Sequence, residues 1–498
     1  MPDLDPRFCA LPLDALADAA LQRAAVLGAT HADVRIEQVR SGTRSLRDGQ
    51  IDSTSDETTL GLGVRVVHDG CWGFAAGITL TTGAAAALAE QAVMVARVSR
   101  PLTDRVVELA PEPVHVGDWV SCFETDPFEV TEEERIGRLR QLSDQVQQAD
   151  GVDHVRAWLE IADEHTYYAD SAGTRTRQRR VRIFPELEAV STACGYSSMR
   201  SCNPPAGRGW EYLASNQGWD FDSEAAQLPD WLAEHVAAPS VEPGRYDLVV
   251  DPTNLWLTIH ESVAHGTELD RALGYEAAYA GTSFATADGL GSLRYGSDCM
   301  TVTGDRVTEH GLASCGWDDE GVAAQRFDLI RDGVLVGYQL NRQMAAEQGL
   351  ERSNGCAFAS SGSQIPLQRM PNVSLQPADT EVSVADLVGQ VENGLYVVGD
   401  KSWSIDMQRY NFQFTGQRFY RIRNGRLQGQ VRDAAYQATT TDFWGSMTAV
   451  GGPGTYRLMG ALDCGKGQPG QRAPVSHGTP AALFRAVNVL STEAEGGR

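Results

Sequence analysis

Lysine is almost missing from this chain of 498 residues: Lys401 and Lys466 stand against 40 arginines. Positive charge as a whole is scarce, and the formal net charge is −24. Such a field repels nucleic acids and anionic membranes, so neither is expected as a partner. Long apolar runs are missing as well. No stretch approaches the roughly 20 residues that span a bilayer. The chain opens MPDLDPRFCALPLDALADAA, acidic and helix-like, so no secretory signal is expected. Paired cysteines are also lacking. The nine present, scattered from Cys9 to Cys464 without paired spacing, fit a reducing compartment better than a disulfide framework. The expected location is cytoplasmic.

What remains is the balance of a globular enzyme, 42% hydrophobic and 22% charged, long enough for two or three domains. Its 50 glycines favour turns and short strands. Apolar spacing predicts helices over 14–27, ending at Gly28, over 81–100, and over 131–150, where Thr131 and Glu134 form a capping-box pattern. Asp-Gly turns in SLRDGQIDS and VRVVHDGCWGFA predict hairpins, and strands dominate 152–200. The run RTRQRRVRIF (175–184) reads as a strand with one solvated arginine face. A glycine-, proline- and asparagine-rich stretch at 202–220, the helix candidate SEAAQLPDWLAEHVAA and PSVEPGRYD place a boundary near 240. The fold class is therefore α+β in two domains. Residues 1–240 form a sheet with helices packed on it, and 241–498 form a β-rich domain. FDLIRDGVLVGY (327–338) and FYRIRNGRLQGQ (419–430), two similar hairpins, suggest a curled antiparallel sheet or barrel there.

The chemistry concentrates in TIHESVAHGTELD (258–270). In the H-E-x-x-H pattern of zinc peptidases the histidines are four apart; here His260 and His265 are five apart. On a regular α-helix that spacing separates them by about 140°. They can meet on one ion through a local π-bulge, or if the helix ends at His265 and Gly266 turns the backbone. The helix is apolar around Leu255, Trp256, Leu257 and Ile259, so it is expected to be buried, where a His-Glu-His cluster needs partners. Catalytic zinc takes three protein ligands and keeps one position for water. The third ligand could be Glu268, Asp270 or a distant residue. GALDCGKGQPGQ (460–471) offers Cys464 in a glycine-rich loop beside Lys466. From these residues alone a metal site and a structural cluster stand level, and Cys464 reads as a small buried hydrophobe.

HESVAHGTELD resembles the signature of the TldD/PmbA family of metallopeptidases, on its TldD side. The similarity continues in order through GLGVRVVHDGCWGFA, YAGTSFA, GVLVGYQLNR, LQRMPNVSL, FYRIRNGRLQG and DCGKGQPGQ, over most of the chain. The resemblance implies that His260, His265 and Cys464 bind the metal and that Glu261 is the catalytic carboxylate. That ligand set favours zinc, so one zinc per chain is expected, with iron as the alternative. The family architecture is an amino-terminal α/β domain and a carboxy-terminal barrel-like antiparallel β domain that carries the site. The implied activity is hydrolysis of peptide bonds in unfolded or extended peptides, including peptide precursors or leader segments, by a metal-bound water with Glu261 as general base. The implied assembly is a homodimer, or a heterodimer with a metal-less PmbA/TldE-type paralogue. GDKSWSIDMQRYNFQFTG (399–416) departs from the family pattern, so substrate choice does not carry over. Two other classes stand beside this reading. One is a non-catalytic scaffold subunit with a structural metal. The other is a cysteine peptidase using Cys464 with His477, a residue that otherwise reads as a loop histidine.

Overall fold

Four two-residue turns organise much of the strand pairing. Asp48-Gly49, Asp69-Gly70, Asp332-Gly333 and Asn424-Gly425 have positive φ at both positions, a geometry whose twist matches that of the strands it joins. They are seen in a computed structural model that describes residues 3–193, 195–467 and 469–493.

The first two turns join His31–Arg47, Gln50–His68 and Cys71–Gly77 into a meander. The seven-stranded sheet continues from His31–Arg47 to His154–Asp170, Arg175–Ser191 and Val116–Val120, with Ser197–Arg200 also paired to Arg175–Ser191. Helices Leu13–Val26 and Thr82–Ser99 bury Leu16, Ala20, Ala89 and Ala92 against Val34, Ile36, Val64 and Val66. Helices Glu132–Gln147 and Phe221–Ala237 bury Leu139, Leu142 and Leu228 against Val155, Leu159 and Leu187. Val155, Leu159 and Tyr167 occupy odd positions of one strand, so both helix pairs cover the same face. The expected capping box forms only by half. Thr131 accepts from the Glu134 N–H at 3.2 Å, but the Glu134 carboxylate accepts instead from Trp210 Nε1 at 3.0 Å.

The opposite face is charged and yet buried. Asp33, Arg35, Glu37, Arg65, Glu164, Arg180 and Arg182 are nearly inaccessible. Arg65 bridges Asp33 at 2.8 Å and Glu320 at 2.9 Å, Arg35 meets Asp319 at 3.3 Å, and Gln178 Nε2 donates to the Trp317 carbonyl at 2.9 Å. Glu320, Asp319 and Trp317 come from the second half of the chain. In RTRQRRVRIF the face of Arg180 and Arg182 is therefore buried, both binding Glu164 and Arg182 also donating to the Leu312 carbonyl, while Arg175 and Arg177 on the other face stay partly exposed. Period-two alternation defines a face but does not say whether water or protein lies on it. The 202–220 stretch is likewise packed over its first half, with Tyr212 OH donating to the Pro204 carbonyl at 2.8 Å.

The second half contains a closed five-stranded barrel. In order round it run Asn393–Ile405, Gly244–Val250, Ala482–Ser491, Ala434–Thr439 and Asn411–Arg423, the last pairing back with the first. The barrel is antiparallel as expected except at one seam, where Asn393–Ile405 runs parallel to Gly244–Val250. A long excursion rather than a hairpin separates those two strands, which is what parallel pairing requires. The two similar hairpins fall in different sheets. The second supplies barrel strand Asn411–Arg423. The first belongs to a four-stranded sheet with Val302–Asp305 and Asn372–Leu375, which joins the barrel core through Val302, Leu329 and Val373. From Gly244–Val250 the chain passes through Asp251, whose carboxylate accepts from the Thr253 N–H at 3.0 Å, into a fully buried helix, Pro252–Ile259. Leu255 and Ile259 pack with Leu248, Phe414, Tyr436 and Phe484 of the barrel. No helix among the described residues is long and apolar enough to cross a membrane.

Candidate metal centre

The buried helix widens where the two histidines lie. From His260 to Ala264 it is a π-turn, with the His265 N–H bonded to the His260 carbonyl, and a 3-10 turn follows over His265–Thr267. The extra residue brings the rings onto one face, their centroids 4.8 Å apart and their planes at 80°. Of the two distortions open from the sequence, the π-bulge is the one formed. Gly266 has a different role: it lies outside the left-handed region, but a Cβ there would sit 2.6 Å from the Tyr295 hydroxyl. That hydroxyl donates to the Ser262 carbonyl at 2.5 Å. Gln339 Nε2 donates to the Ala264 carbonyl at 2.5 Å, and Thr267 Oγ1 to the Val263 carbonyl at 2.9 Å. Carbonyls displaced by the π-turn thus keep partners, as buried backbone must.

Cys464 lies on the strand Arg457–Lys466, which pairs with Gln471–Thr479 and slips register between Ala461 and Cys464. Such a bulge re-aims the side chain beside it. The ligand atoms of His260, His265 and Cys464 all lie within 4.8 Å of one another, and Cys464 Sγ is 3.8 Å from His265 Nε2. All three residues are buried.

Their hydrogen bonds fix which nitrogens are free. His477 Nδ1 donates to the Val373 carbonyl at 2.8 Å. Burial and the neighbouring His260 hold the His477 pKa well below the usual range, so the ring is neutral and its Nε2 is an acceptor. His260 Nδ1, 2.7 Å from that Nε2, must therefore be the donor, so His260 Nε2 is the nitrogen left for an ion. His265 Nδ1 donates to Glu268 Oε2 at 2.9 Å, which frees His265 Nε2 in the same way. A carboxylate or other acceptor behind each ligand imidazole is the usual arrangement of histidine metal sites. His477 is thus no loop histidine. It lies in a strand, fully buried, against His260 rather than Cys464.

Glu268 and Asp270, both weighed as a third ligand, face elsewhere. Lys466 Nζ bridges Glu268 at 3.1 Å, Asp270 at 2.9 Å and Glu276 at 3.2 Å, and donates to Gln368 Oε1 at 3.0 Å. Burial alone would discharge this ammonium, but Asp270, Glu268 and Glu276 hold its pKa above the ordinary lysine value. Burial works against the Glu268 carboxylate too, but Lys466 and His265 outweigh it and hold that pKa well below the ordinary value. Asp270 is pushed up to about 6 by burial and by the Glu268 and Glu276 charges, against Lys466. At the ligands, burial opposes ionisation, yet His260 and Arg369 hold the Cys464 thiol below its ordinary value, and Cys464 holds His260 above its own. Two imidazole nitrogens and a thiol inclined to ionise fit a borderline-soft divalent ion such as zinc.

Glu261, beside His260 in the π-turn, is buried and pairs with Arg409. Arg409 comes from the loop between Asn393–Ile405 and Asn411–Arg423. The structure thus gathers all four expected residues and adds three that the metal-site reading of the sequence did not include: His477, Lys466 and Arg409. Lys466 carried a faint mark as one of two lysines. Arg409 lies in the divergent stretch 399–416. Nothing in the sequence connects His477 to His260.

Residues 243–491 match the family model described as the PmbA/TldA metallopeptidase C-terminal domain, and residues 32–96 match PmbA/TldA metallopeptidase domain 1. A metalloprotease of Methanocaldococcus jannaschii is 25% identical over 456 residues, covering 90% of this chain and 94% of that protein. A zinc metalloprotease TldD homolog of Saccharolobus solfataricus is 24% identical over 236 residues, 46% of this chain and 50% of that protein. Among solved structures, a Thermotoga maritima protein described as a candidate modulator of a DNA gyrase superposes with a TM-score of 0.76 at 15% identity, covering 95% of this chain and 99% of that one. TldE of Thermococcus kodakarensis gives 0.72 at 15% identity, covering 94% of this chain and 98% of that one.

Proposed function

The chain belongs to the PmbA/TldD family of metallopeptidases, and on that premise we propose that it cleaves unfolded or extended peptides, with His260, His265 and Cys464 holding one zinc ion and Glu261 as general base. The observation that carries this reading is the convergence of the ligand atoms of His260 and His265 on the Cys464 thiol, with each ring held through its Nδ1 by a further group. Among the described residues that cluster offers three ligand atoms, which supports an open catalytic position over the closed four-ligand shell of a structural metal. The His477 contact to His260 gives the cysteine-peptidase reading no support.

A zinc ion held there would supply a water of lowered pKa and a Lewis acid for the scissile carbonyl. The remaining work falls to the chain. Glu268, fixed by Lys466, orients His265; His477 orients His260; and Glu261 takes the water proton on a carboxylate oxygen and returns it to the leaving amine. An extended peptide has a berth beside the site. A groove of 590 Å³ is lined by Trp256, Trp403, Met459, Ala461 and Asp463, and Trp256 also packs against His260 and His477. A peptide in that form offers its backbone bonds whatever its sequence. The proposal includes assembly with a second copy or a TldE-like partner, in the cytoplasm.

The test is metal content and turnover together. Protein purified without added metal should carry about one zinc per chain, lost in His260→Ala. Glu261→Gln should keep the zinc and lose hydrolysis of an unfolded peptide. Near-normal turnover in Glu261→Gln, or zinc retained in His260→Ala, would overturn the assignment.

A further inference from the structure

Around the centre, the other cationic and indole side chains are tied to structural partners. Trp256 Nε1 donates to Asp400 at 3.3 Å, Trp444 Nε1 to Ser262 Oγ at 2.9 Å, Arg369 to the Cys464 and Gln471 carbonyls, and Lys466 to its carboxylates. Arg409 differs. Its Nη1 pairs with Glu261, the expected general base, while its Nε, like that of Arg369, is buried without a partner. A guanidinium with an unmatched buried N–H beside the expected general base requires an explanation.

The backbone that aims it is strained and stitched in place. Arg409 has φ +63°, a left-handed conformation that costs a non-glycine residue free energy and persists only where its surroundings over-determine it. Here the Asp406 carboxylate accepts from the Gln408, Tyr410 and Asn411 N–H groups, and Thr440 Oγ1 donates to the Arg409 carbonyl at 2.7 Å. The Thr282 and Phe284 N–H groups hold the Met407 and Gln408 carbonyls at 3.1 and 2.9 Å. Gly281 approaches so closely that a Cβ would lie 2.3 Å from the Met407 carbonyl oxygen.

We infer that Arg409 is a catalytic residue: its guanidinium holds Glu261 between turnovers and stabilises the oxyanion that forms on the scissile carbonyl. This rests on the peptidase reading and extends it. As the water oxygen bonds to the carbonyl carbon, the C=O π pair moves onto the carbonyl oxygen and a water proton passes to Glu261. That proton cancels the carboxylate charge holding Arg409 just as the carbonyl oxygen becomes anionic. The permanent charge of the guanidinium then serves the new anion through donors left free by Glu261. Collapse re-forms C=O, breaks the C–N bond, hands the proton from Glu261 to the leaving amine and restores the resting pair. The interaction is strongest where charge develops, so it lowers the barrier rather than merely tightening substrate binding.

Zinc-loaded wild type, Arg409→Ala, Arg409→Lys and Glu261→Gln are compared on a quenched-fluorescent unfolded peptide and a phosphinate analogue of it. Arg409→Ala should lose about 100- to 1000-fold in kcat, with KM little changed and zinc content equal to wild type. Arg409→Lys should fall between, and added guanidinium should restore part of the Arg409→Ala rate. Phosphinate affinity should fall in parallel with kcat/KM across the arginine variants, a correlation that a merely structural arginine would not give. A kcat for Arg409→Ala within threefold of wild type, or a loss confined to KM or to zinc content, overturns the inference while leaving the peptidase reading intact if Glu261→Gln is inactive. An active Glu261→Gln overturns both.

Discussion

Replacing Lys466 with methionine removes the ammonium from a pocket that keeps three carboxylates. Glu268, Asp270 and Glu276 are all buried, and the remaining cation, Arg271, stands 3.6 Å from both Glu268 and Glu276. Breaking a buried ion pair by removing one partner costs about 3–5 kcal/mol. Part of that is relieved by protonation, because Asp270 is already pushed up to about 6 with Lys466 present. The metal should register the remainder. Glu268 in the variant takes up a proton more readily and becomes a poorer acceptor for His265 Nδ1–H, so the ring is less firmly oriented. Loss of a group acting through a ligand in this way weakens metal binding by about 10- to 100-fold, or ~1.4–2.7 kcal/mol. Zinc affinity measured against a chromogenic chelator, with thermal melts of the apo and zinc-loaded forms, reads both effects. The apo variant should melt several degrees lower, and its affinity deficit should shrink as pH rises from 6 to 9 and Glu268 re-ionises. Wild-type melting together with zinc affinity within twofold of wild type would refute the claim that Lys466 acts through Glu268 on His265.

Two further outcomes follow from groups farther along the same network and in the interface. His477→Phe keeps a ring beside Trp256 but leaves the buried His260 Nδ1–H without its acceptor, so zinc affinity should fall about tenfold. Activity at saturating zinc should largely survive, and its complete loss there would revive His477 as a catalytic base. Burial pushes the Glu37 carboxyl from 4.5 up to about 8, with Arg35 opposing and Glu164 and Asp319 adding to the rise. The native state then keeps a proton that the unfolded chain has lost, so stability falls as pH rises through that interval and levels off above it. Glu37→Gln abolishes the slope, and the Tm difference between variant and wild type should grow in the variant's favour from pH 6 to 9. A pH-independent difference would contradict it.

The sequence was most informative where local spacing does the work. Asp48-Gly49 and Asp69-Gly70 announce their hairpins because each position needs positive φ, and the five-residue spacing of His260 and His265 by itself demands a distortion of the helix. It was least informative where two distant segments meet. RTRQRRVRIF alternates correctly, but its charged face lies under Asp319 and Glu320, and no local pattern distinguishes a protein neighbour from water. Glu268 and Asp270 sat near enough to His265 to be weighed as ligands, yet Lys466, almost 200 residues away in sequence, draws both from the metal side to the supporting side. Cys464 needed the family resemblance, because a cysteine among glycines has no helical period to place it and a register slip in its strand decides where its sulfur points. Arg409 is the extreme case. It is one arginine among 40, in a stretch that departs from the family pattern, and its importance lies in a left-handed backbone angle and an ion pair to a helix 148 residues earlier. Ligands that share a helix turn can be found by counting residues. The groups that set their protons and charges arrive from other strands and loops, and only the fold brings them together.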